Sequence, residues 1–361
     1  MSRPVITKPQ QQVINTYDYK YPAGKINPVE KRINVKNLCI DSIFRKNYDK
    51  TKSNNFTFHL PEIINNVVSI NVSSMEFPNC WYTFDSRNKS NEFTITLYNT
   101  PSPSDTGDVY PPEIKHVIQI PNGNYRSDIF RDSMNNMFSN IRGGLEYLYF
   151  DVNEITSKCV IRTKASGDDT KNLFMNSDIL NADPSNSFYF TLNFAIDDEP
   201  ERPLYYNAGW MMGFRKSYYI ITYADPPYID LISGNFTTGT LSEKIYNWYV
   251  EGESSYGSNI QNYIYLEIDD YHKNFVTNTI IGNSSNENYL GNNIMGRISV
   301  VSGMNTIITN TASDRVFKKR EYFGPVKLEK LNVRLLNRFG EPILMNENDF
   351  SFTLEIEQLY S

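Results

Sequence analysis

Histidine and cysteine are each present only three times in 361 residues, and the two scarcities narrow the chemistry open to the chain. Cys39, Cys80 and Cys159 form no CxxC pair and have no histidine close by in sequence. Neither a disulfide framework nor a structural zinc site is therefore indicated, and reduced thiols made in a cytosol are expected. No stretch approaches the roughly 18 apolar residues that a membrane-spanning helix needs. The opening MSRPVITKPQQQ lacks the apolar segment of a secretion signal, so neither secretion nor membrane insertion is expected. There is no GxSxG elbow, no glycine-rich phosphate loop ahead of a helix, and no repeat at a fixed period.

General acid-base work and transition-metal binding near neutral pH lean on histidine. His59 and His116 fall inside predicted strands and His272 opens a loop, so no pair has ligand spacing and all three read as ordinary strand or surface residues. The acidic groups Asp197, Asp198 and Glu199, and Asp269 with Asp270, could serve a glycosidase or bind calcium. Neither group has the spaced ligands of a calcium loop, and carboxylates at strand ends are usually solvated. No catalytic, cofactor-binding or metal-ligating residue is assigned, and the chain is expected not to be an enzyme.

What the chain does contain favours sheets. Apolar residues make up 40% and charged residues 21%, with Tyr (26) and Phe (21) abundant. Aromatic and β-branched side chains fit a pleated, half-buried surface. The length exceeds one ordinary domain, so two modules or one module with a large insertion are expected. A net charge of -6 with pI near 5.3 argues against a nucleic-acid partner. The charge is uneven: residues 1 to 36 carry seven basic side chains against two acidic, net +5, with no sustained period. They read as an extended basic arm.

From Leu38 onward strand signals follow closely. LCIDSIFR comes first, then NFTFHL with Phe56, Phe58 and Leu60 alternating, then VVSINVSSMEF with Val68, Ile70 and Val72 on one face. EFTITLY and IKHVIQI follow, and Asn122-Gly123 reads as a tight turn. Ser127 is placed to cap a helix to about Ile141, with Phe130, Met134, Met137, Phe138 and Ile141 on one face and Gly143-Gly144 ending it. LEYLYFDV, KCVIRT and SFYFTLNFAI resume the strands, suggesting a sheet with one helix laid on it. After QNYIYLEIDDY, residues 271 to 294 read as a long polar loop, and then come RISVV, KLEKLNVRLL and DFSFTLEIEQLY. In the last of these Phe350, Phe352, Leu354 and Ile356 should point inward.

The run from Gly209 to Arg215, GWMMGFR, fits neither a regular strand nor an amphipathic helix. It reads as a buried turn with aromatic plugs, the competing account being a ligand pocket. Tyrosines in YIYLEIDDY and NWYVEGESSY could stack on sugars or partner surfaces, or simply cover a sheet. NxS/T sequons at Asn55, Asn71, Asn88, Asn235 and Asn283 arise by chance in a chain this rich in Asn, Ser and Thr.

The segments CIDSIFRKNYDKTKSNNFTFHLPEIINNVVSINVSSMEFPNCWY, IQIPNGNYRSDIFRDSMNNMF and GWMMGFR, with YIYLEIDDY and LEKLNVRLLNRFGEPILMNENDFSFTLEIEQLY, carry a resemblance in their order along residues 38 to 360. In this the chain resembles minor capsid and penton-like virion structural proteins of nucleocytoplasmic large DNA viruses, the giant viruses. The resemblance implies a non-enzymatic structural protein made in the host cytoplasm and built into the virion. As a minor capsid or vertex component it would meet the major capsid protein and other minor capsid proteins through protein-protein interfaces. Membrane contact would go through the basic arm. The alternative is a receptor- or glycan-binding fibre or spike head.

The expected fold class is mainly β, an antiparallel β-sandwich of jelly-roll type with an inserted α+β lobe. The expected domains are a basic arm (1-36), a discontinuous sandwich (37-84 plus 245-361) and the inserted lobe (85-244) with one helix near 127-141.

Overall fold

The computed structural model describes residues 33-100, 109-164, 188-196, 199, 201-230, 244-257, 262-275, 291-300, 303, 305-311 and 316-359. The fold is mainly β, every strand pairing among the described residues is antiparallel, and an α+β segment is inserted in sequence between the two parts of a β body. The chain divides into two compact units, one of residues 1-81 with 261-361 and one of residues 82-260.

The first unit is built on β1 (Ile33–Asp41), β2 (Asn55–Pro78), β11 (Tyr263–Asp269), β12 (Ile294–Ser299), β13 (Ile307–Thr311), β14 (Arg320–Leu336) and β15 (Ser351–Leu359). Six of them run in the order β1-β15-β2-β14-β11-β12, and β13 joins through β2. The organising element is β2, whose 24 residues join NFTFHL and VVSINVSSMEF, expected as two strands, into one. One edge of β2 meets β15; the other meets β14 up to Ile70 and then β13 from Ser74 to Pro78.

So long a strand holds its register only by slipping. Both ladders skip Val68, pairing Ser69 and Val67 on either side of it. The alternation therefore shifts by one: Val67, Ile70 and Val72 are fully buried while Val68, expected inward, is only partly buried. In β15 the predicted face holds, with Phe352, Leu354 and Ile356 buried, as is Phe350 just before the strand. Side chains from all seven strands share one apolar core with these.

The second unit contains two four-stranded sheets where the alternation suggested one. The first has the order β4-β3-β7-β8, from β3 (Glu92–Tyr98), β4 (Glu113–Gln119), β7 (Tyr189–Asn193) and β8 (Tyr218–Ile221). The second has the order β5-β6-β10-β9, from β5 (Leu148–Val152), β6 (Cys159–Thr163), β9 (Tyr223–Asp230) and β10 (Lys244–Glu251). Helix α1 (Ser127–Ile141) packs on β5, burying Phe130, Met134 and Phe138. Phe130 stacks on Phe84 and Tyr256 at centroid distances of 5.0 and 5.1 Å and meets Phe150 edge-on at 5.0 Å. Residues from both sheets and the helix form one core.

Several local expectations change. Ser127 is the first helical residue and Arg126 the N-cap, with no side-chain cap hydrogen bond. Ile141 lies off the buried face and is 43% exposed. Gly143 and Gly144, at φ +65 and +95, do turn the chain away from the helix. Asn122-Gly123 is not a hairpin turn: Gly123 forms a two-bond bridge with Phe84, at 2.9 and 3.1 Å.

The boundaries move as well. β10 pairs with β6 and β9, so residues from 245 to 260, expected in the sandwich, belong to the inserted unit. Ile33 to Lys36, expected in the arm, already pair with Ile356 to Leu359 in β1. The rest of the predicted arm, residues 1 to 32, lies outside the described residues, as do positions 276 to 290 of the predicted Asn-rich loop.

Candidate functional site

Asp41, Ser42 and Arg45 of the CIDSIFR segment have a local structural use. Asp41 Oδ1 accepts from the Ile43 backbone N–H at 2.9 Å and caps a 3-10 turn over Ser42–Phe44, which ends the strand earlier than the residue pattern suggested. Ser42 Oγ donates to Asp349 Oδ1 at 2.6 Å and accepts from the Phe350 N–H at 3.0 Å. Arg45 donates from Nη1 to Asp349 Oδ1 at 2.5 Å and from Nε to the Thr51 carbonyl at 3.1 Å, with Cζ 3.8 Å above the Tyr48 ring. Tyr48 Oη donates to the other Asp349 oxygen at 2.9 Å. This cluster ties the chain after β1 to the chain before β15, about 300 residues away in sequence.

Asp269 and Asp270 are brought together, but not into a cleft. Asp269 Oδ1 accepts from the Tyr271 N–H at 2.8 Å and closes the turn after β11. Asp270 is buried: Oδ2 pairs with Arg320 Nη1 at 2.8 Å and accepts from Tyr322 Oη, while Oδ1 accepts from the His272 N–H at 3.0 Å. Arg320 also donates to the Ile268 carbonyl at 2.9 Å and lies over the Phe275 ring at 4.5 Å. Burial and the adjacent carboxylate push the Tyr322 hydroxyl far up from its ordinary value. The Asp270 carboxylate is thus occupied in holding the end of β11 to β14, while Asp269 serves the local turn.

The other predicted positions are scattered. His59 is exposed on β2, and His272 Nε2 lies 3.0 Å from the Lys327 carbonyl. His116 Nε2 lies 2.9 Å from the Gly143 carbonyl, and a Cβ on Gly143 would sit 2.8 Å from the imidazole. Glu199 pairs with Arg202 at 2.7 Å and Lys89 at 3.0 Å, and both cations hold its carboxyl below the usual range. Asp197 and Asp198 lie outside the described residues. Among the described residues no three His, Cys, Asp or Glu side chains gather into a group that could hold a metal ion.

GWMMGFR is a buried turn. Ala208–Met211 make a single helical turn, Gly213 sits at φ +94, and Met212 and Phe214 are fully buried. A Cβ on Gly209 would lie 2.4 Å from the Phe194 ring, and one on Gly213 would lie 2.1 Å from the Ser254 carbonyl oxygen. The glycines are there so that ring and backbone can occupy that space. Arg215 lies over Trp210 at 3.9 Å and donates to the Trp210 carbonyl at 3.0 Å.

β1 is the last strand of its sheet path, nine residues without proline or bulge, and Ile33 and Val35 are half-exposed on it. Its one lysine, Lys36, is engaged by Glu62 at 2.8 Å. Beyond the C-terminal end of β1 lies an open groove of about 280 Å³ with Phe77 and Phe350 in its floor, Ile43 (51% exposed) and Ile307 (69% exposed) at its sides, and Asp41, Glu76 and Asp349 on its rim. In the second unit Tyr98 and Tyr189, neighbours across β3 and β7, stack at 4.4 Å and 8°. The groove and the tyrosine stack each join segments far apart in the chain, so neither is complete in any one stretch of sequence.

The cysteines divide by environment. Cys80 donates to the Met345 carbonyl at 2.9 Å and burial pushes its thiol up to about 11; Cys159 is fully buried, and burial raises its thiol as well. Cys39 is exposed on β1. A thiol reagent is therefore expected to modify Cys39 rapidly in the native protein and the other two only on unfolding. Rapid modification of all three would contradict this packing.

No protein-family model matches the chain, and no curated protein matches it. Among solved structures the chain is similar to the selenomethionine-labelled mavirus penton protein, at 12% identity and a TM-score of 0.40 over 91% of this chain and 100% of that one. It is also similar to a chain of the Sputnik virophage structure, at 12% identity and a TM-score of 0.37 over 91% of this chain and 98% of the other.

Proposed function

We propose that this chain is a non-enzymatic structural component of a virion capsid, a minor capsid or vertex protein that works through interfaces with other capsid proteins. The observation that carries the reading is strand β1, the edge of its sheet among the described residues, with Ile33 and Val35 half-exposed and the adjoining residues basic. An unguarded flat edge is a ready template for another chain's strand, because its outward N–H and C=O groups and its apolar side chains are satisfied together by pairing. The acid-base candidates supply no competing reading, since the buried pair at Asp270 and the exposed pairs at Glu199 are consumed in packing and ion pairs.

The test is mass spectrometry of purified, membrane-stripped particles of the virus that encodes the chain, followed by location of its density in a particle reconstruction. Absence from stripped particles removes the proposal. Deleting residues 1 to 32 should leave a folded protein that no longer assembles; the deletion must stop before Ile33, where the β1 ladder begins. Loss of folding would count against the arm's role in assembly. Any membrane contact of the arm would appear as binding of the full chain to anionic vesicles that this deletion abolishes.

The stacked Tyr98 and Tyr189 rings favour a second reading, a receptor- or glycan-binding surface. A glycan array without signal above background would remove it.

A further inference from the structure

The groove beyond β1 joins two features seldom placed together on a solvated surface. Its floor is apolar, with Phe77 and Phe350 below the half-exposed Ile43 and the more exposed Ile307. Its rim carries carboxylates that are not equally employed. Asp349 is engaged by Arg45. Asp41 accepts only from the Ile43 N–H and Glu76 only from Ser351 Oγ at 3.1 Å, and neither has a cation within ion-pair range among the described residues. With one arginine set against three carboxylates, the groove is net acidic as well as apolar. Its complement is a short extended segment with an aliphatic centre and a positive charge at each end.

The chain itself contains such a segment. Arg3-Pro4-Val5-Ile6-Thr7-Lys8 has aliphatic residues between two cations, and there is no acidic residue from Met1 to Gln12. Between Lys8 and the start of β1 at Ile33 lie 24 residues. Fully extended, those residues reach about 80 Å, enough to leave their own unit and arrive at another molecule.

We propose that residues Arg3 to Lys8 of one copy dock in the Ile43/Ile307 groove of a second copy, with Val5 and Ile6 over Phe77 and Phe350 and the two cations at Asp41 and Glu76. The proposal rests on the capsid reading only for the expectation that copies meet. Because arm and groove are different surfaces, the contact is heterologous, and the native chain associates head to tail, as a ring where the rotation between copies closes and as an open series where it does not.

The experiment is sedimentation of the full-length protein across a range of concentrations and ionic strengths. The native chain should associate as concentration rises, and salt should weaken the association. The double variant Arg3→Glu/Lys8→Glu and the groove variant Glu76→Lys should each associate at least about tenfold more weakly. An equimolar mixture of the two variants should form a one-to-one dimer, because an intact arm then meets an intact groove on different molecules. If Glu76→Lys unfolds, Ile307→Asp replaces it, since that side chain is 69% exposed.

A native chain that stays monomeric throughout, as it would with its arm docked in its own groove, overturns the proposal. So do variants that associate like the native chain, and a mixture that fails to pair. If the variants complement one another but the chain is absent from particles, the capsid reading falls and the docking stands. If the chain is in particles and complementation fails, the docking falls alone.

Discussion

Replacing Asp270 with alanine is expected to cost about 3–5 kcal/mol of stability, because it leaves the Arg320 guanidinium buried with no countercharge. The ion pair is 2% and 0% exposed on its two sides, so water cannot take over the carboxylate's role. The same oxygen accepts from Tyr322, and the other holds the His272 N–H; the loss therefore spreads from β11 to β14. Denaturant unfolding measures the total, and hydrogen exchange of the β11 and β14 amides locates it. A loss under about 1 kcal/mol would show that the cluster is not the buried network described. The partner experiment is Asp270→Asn with Arg320→Met. Replacing both charges with groups of similar size should recover much of the loss, since a buried pair is costly to break but contributes little over an apolar substitute.

The second large effect is expected at Gly213. Its φ of +94 lies where an L side chain is strained, and a Cβ there would meet the Ser254 carbonyl oxygen at 2.1 Å. Left-handed backbone costs roughly 1–2 kcal/mol for a non-glycine residue, and overpacking a filled site adds about 1–3 kcal/mol. Gly213→Ala should then destabilise the second unit by about 2–5 kcal/mol, the sum of the two costs. Trp210 and Trp248 both belong to this unit, so tryptophan fluorescence can follow its unfolding. Gly257→Ala is the control: nothing lies within 4 Å of its Cβ position and its effect should stay within about 0.5 kcal/mol. Equal losses at the two glycines would mean that the close approach to Ser254 is not what Gly213 serves.

Both effects arise at sites the residue pattern only half disclosed. The oddness of GWMMGFR pointed to a buried turn, because two glycines flanking large apolar residues suit no regular element. What touches those glycines, Phe194 and Ser254, could not be read from the motif. Asp270 looked like a solvated carboxylate at the end of an alternating strand; nothing near it in sequence announces Arg320 or Tyr322, some fifty residues later. Asp349 is a similar case, since its partners Ser42, Arg45 and Tyr48 stand about 300 positions earlier.

By itself the sequence determined what periodicity can carry. Alternation of Phe352, Leu354 and Ile356 sets a strand's buried face without reference to its neighbours, and the spacing of Phe130, Met134 and Phe138 does the same for the helix. The scarcity of histidine and of paired cysteine likewise pointed away from metal and disulfide chemistry without any fold. Tertiary structure alone decided everything that depends on which strands become neighbours. It merged two predicted strands into β2, slipped the register so that Val67 rather than Val68 is buried, and moved β10 into the inserted unit. The groove between Ile43 and Ile307 belongs to the same class, because two residues more than 260 positions apart line one surface only after the sheet has brought the turn after β1 and strand β13 together. Periodicity is a local property of the chain and survives without a partner, whereas register, buried ion pairs and grooves are relations between segments that come into being when the sheets close.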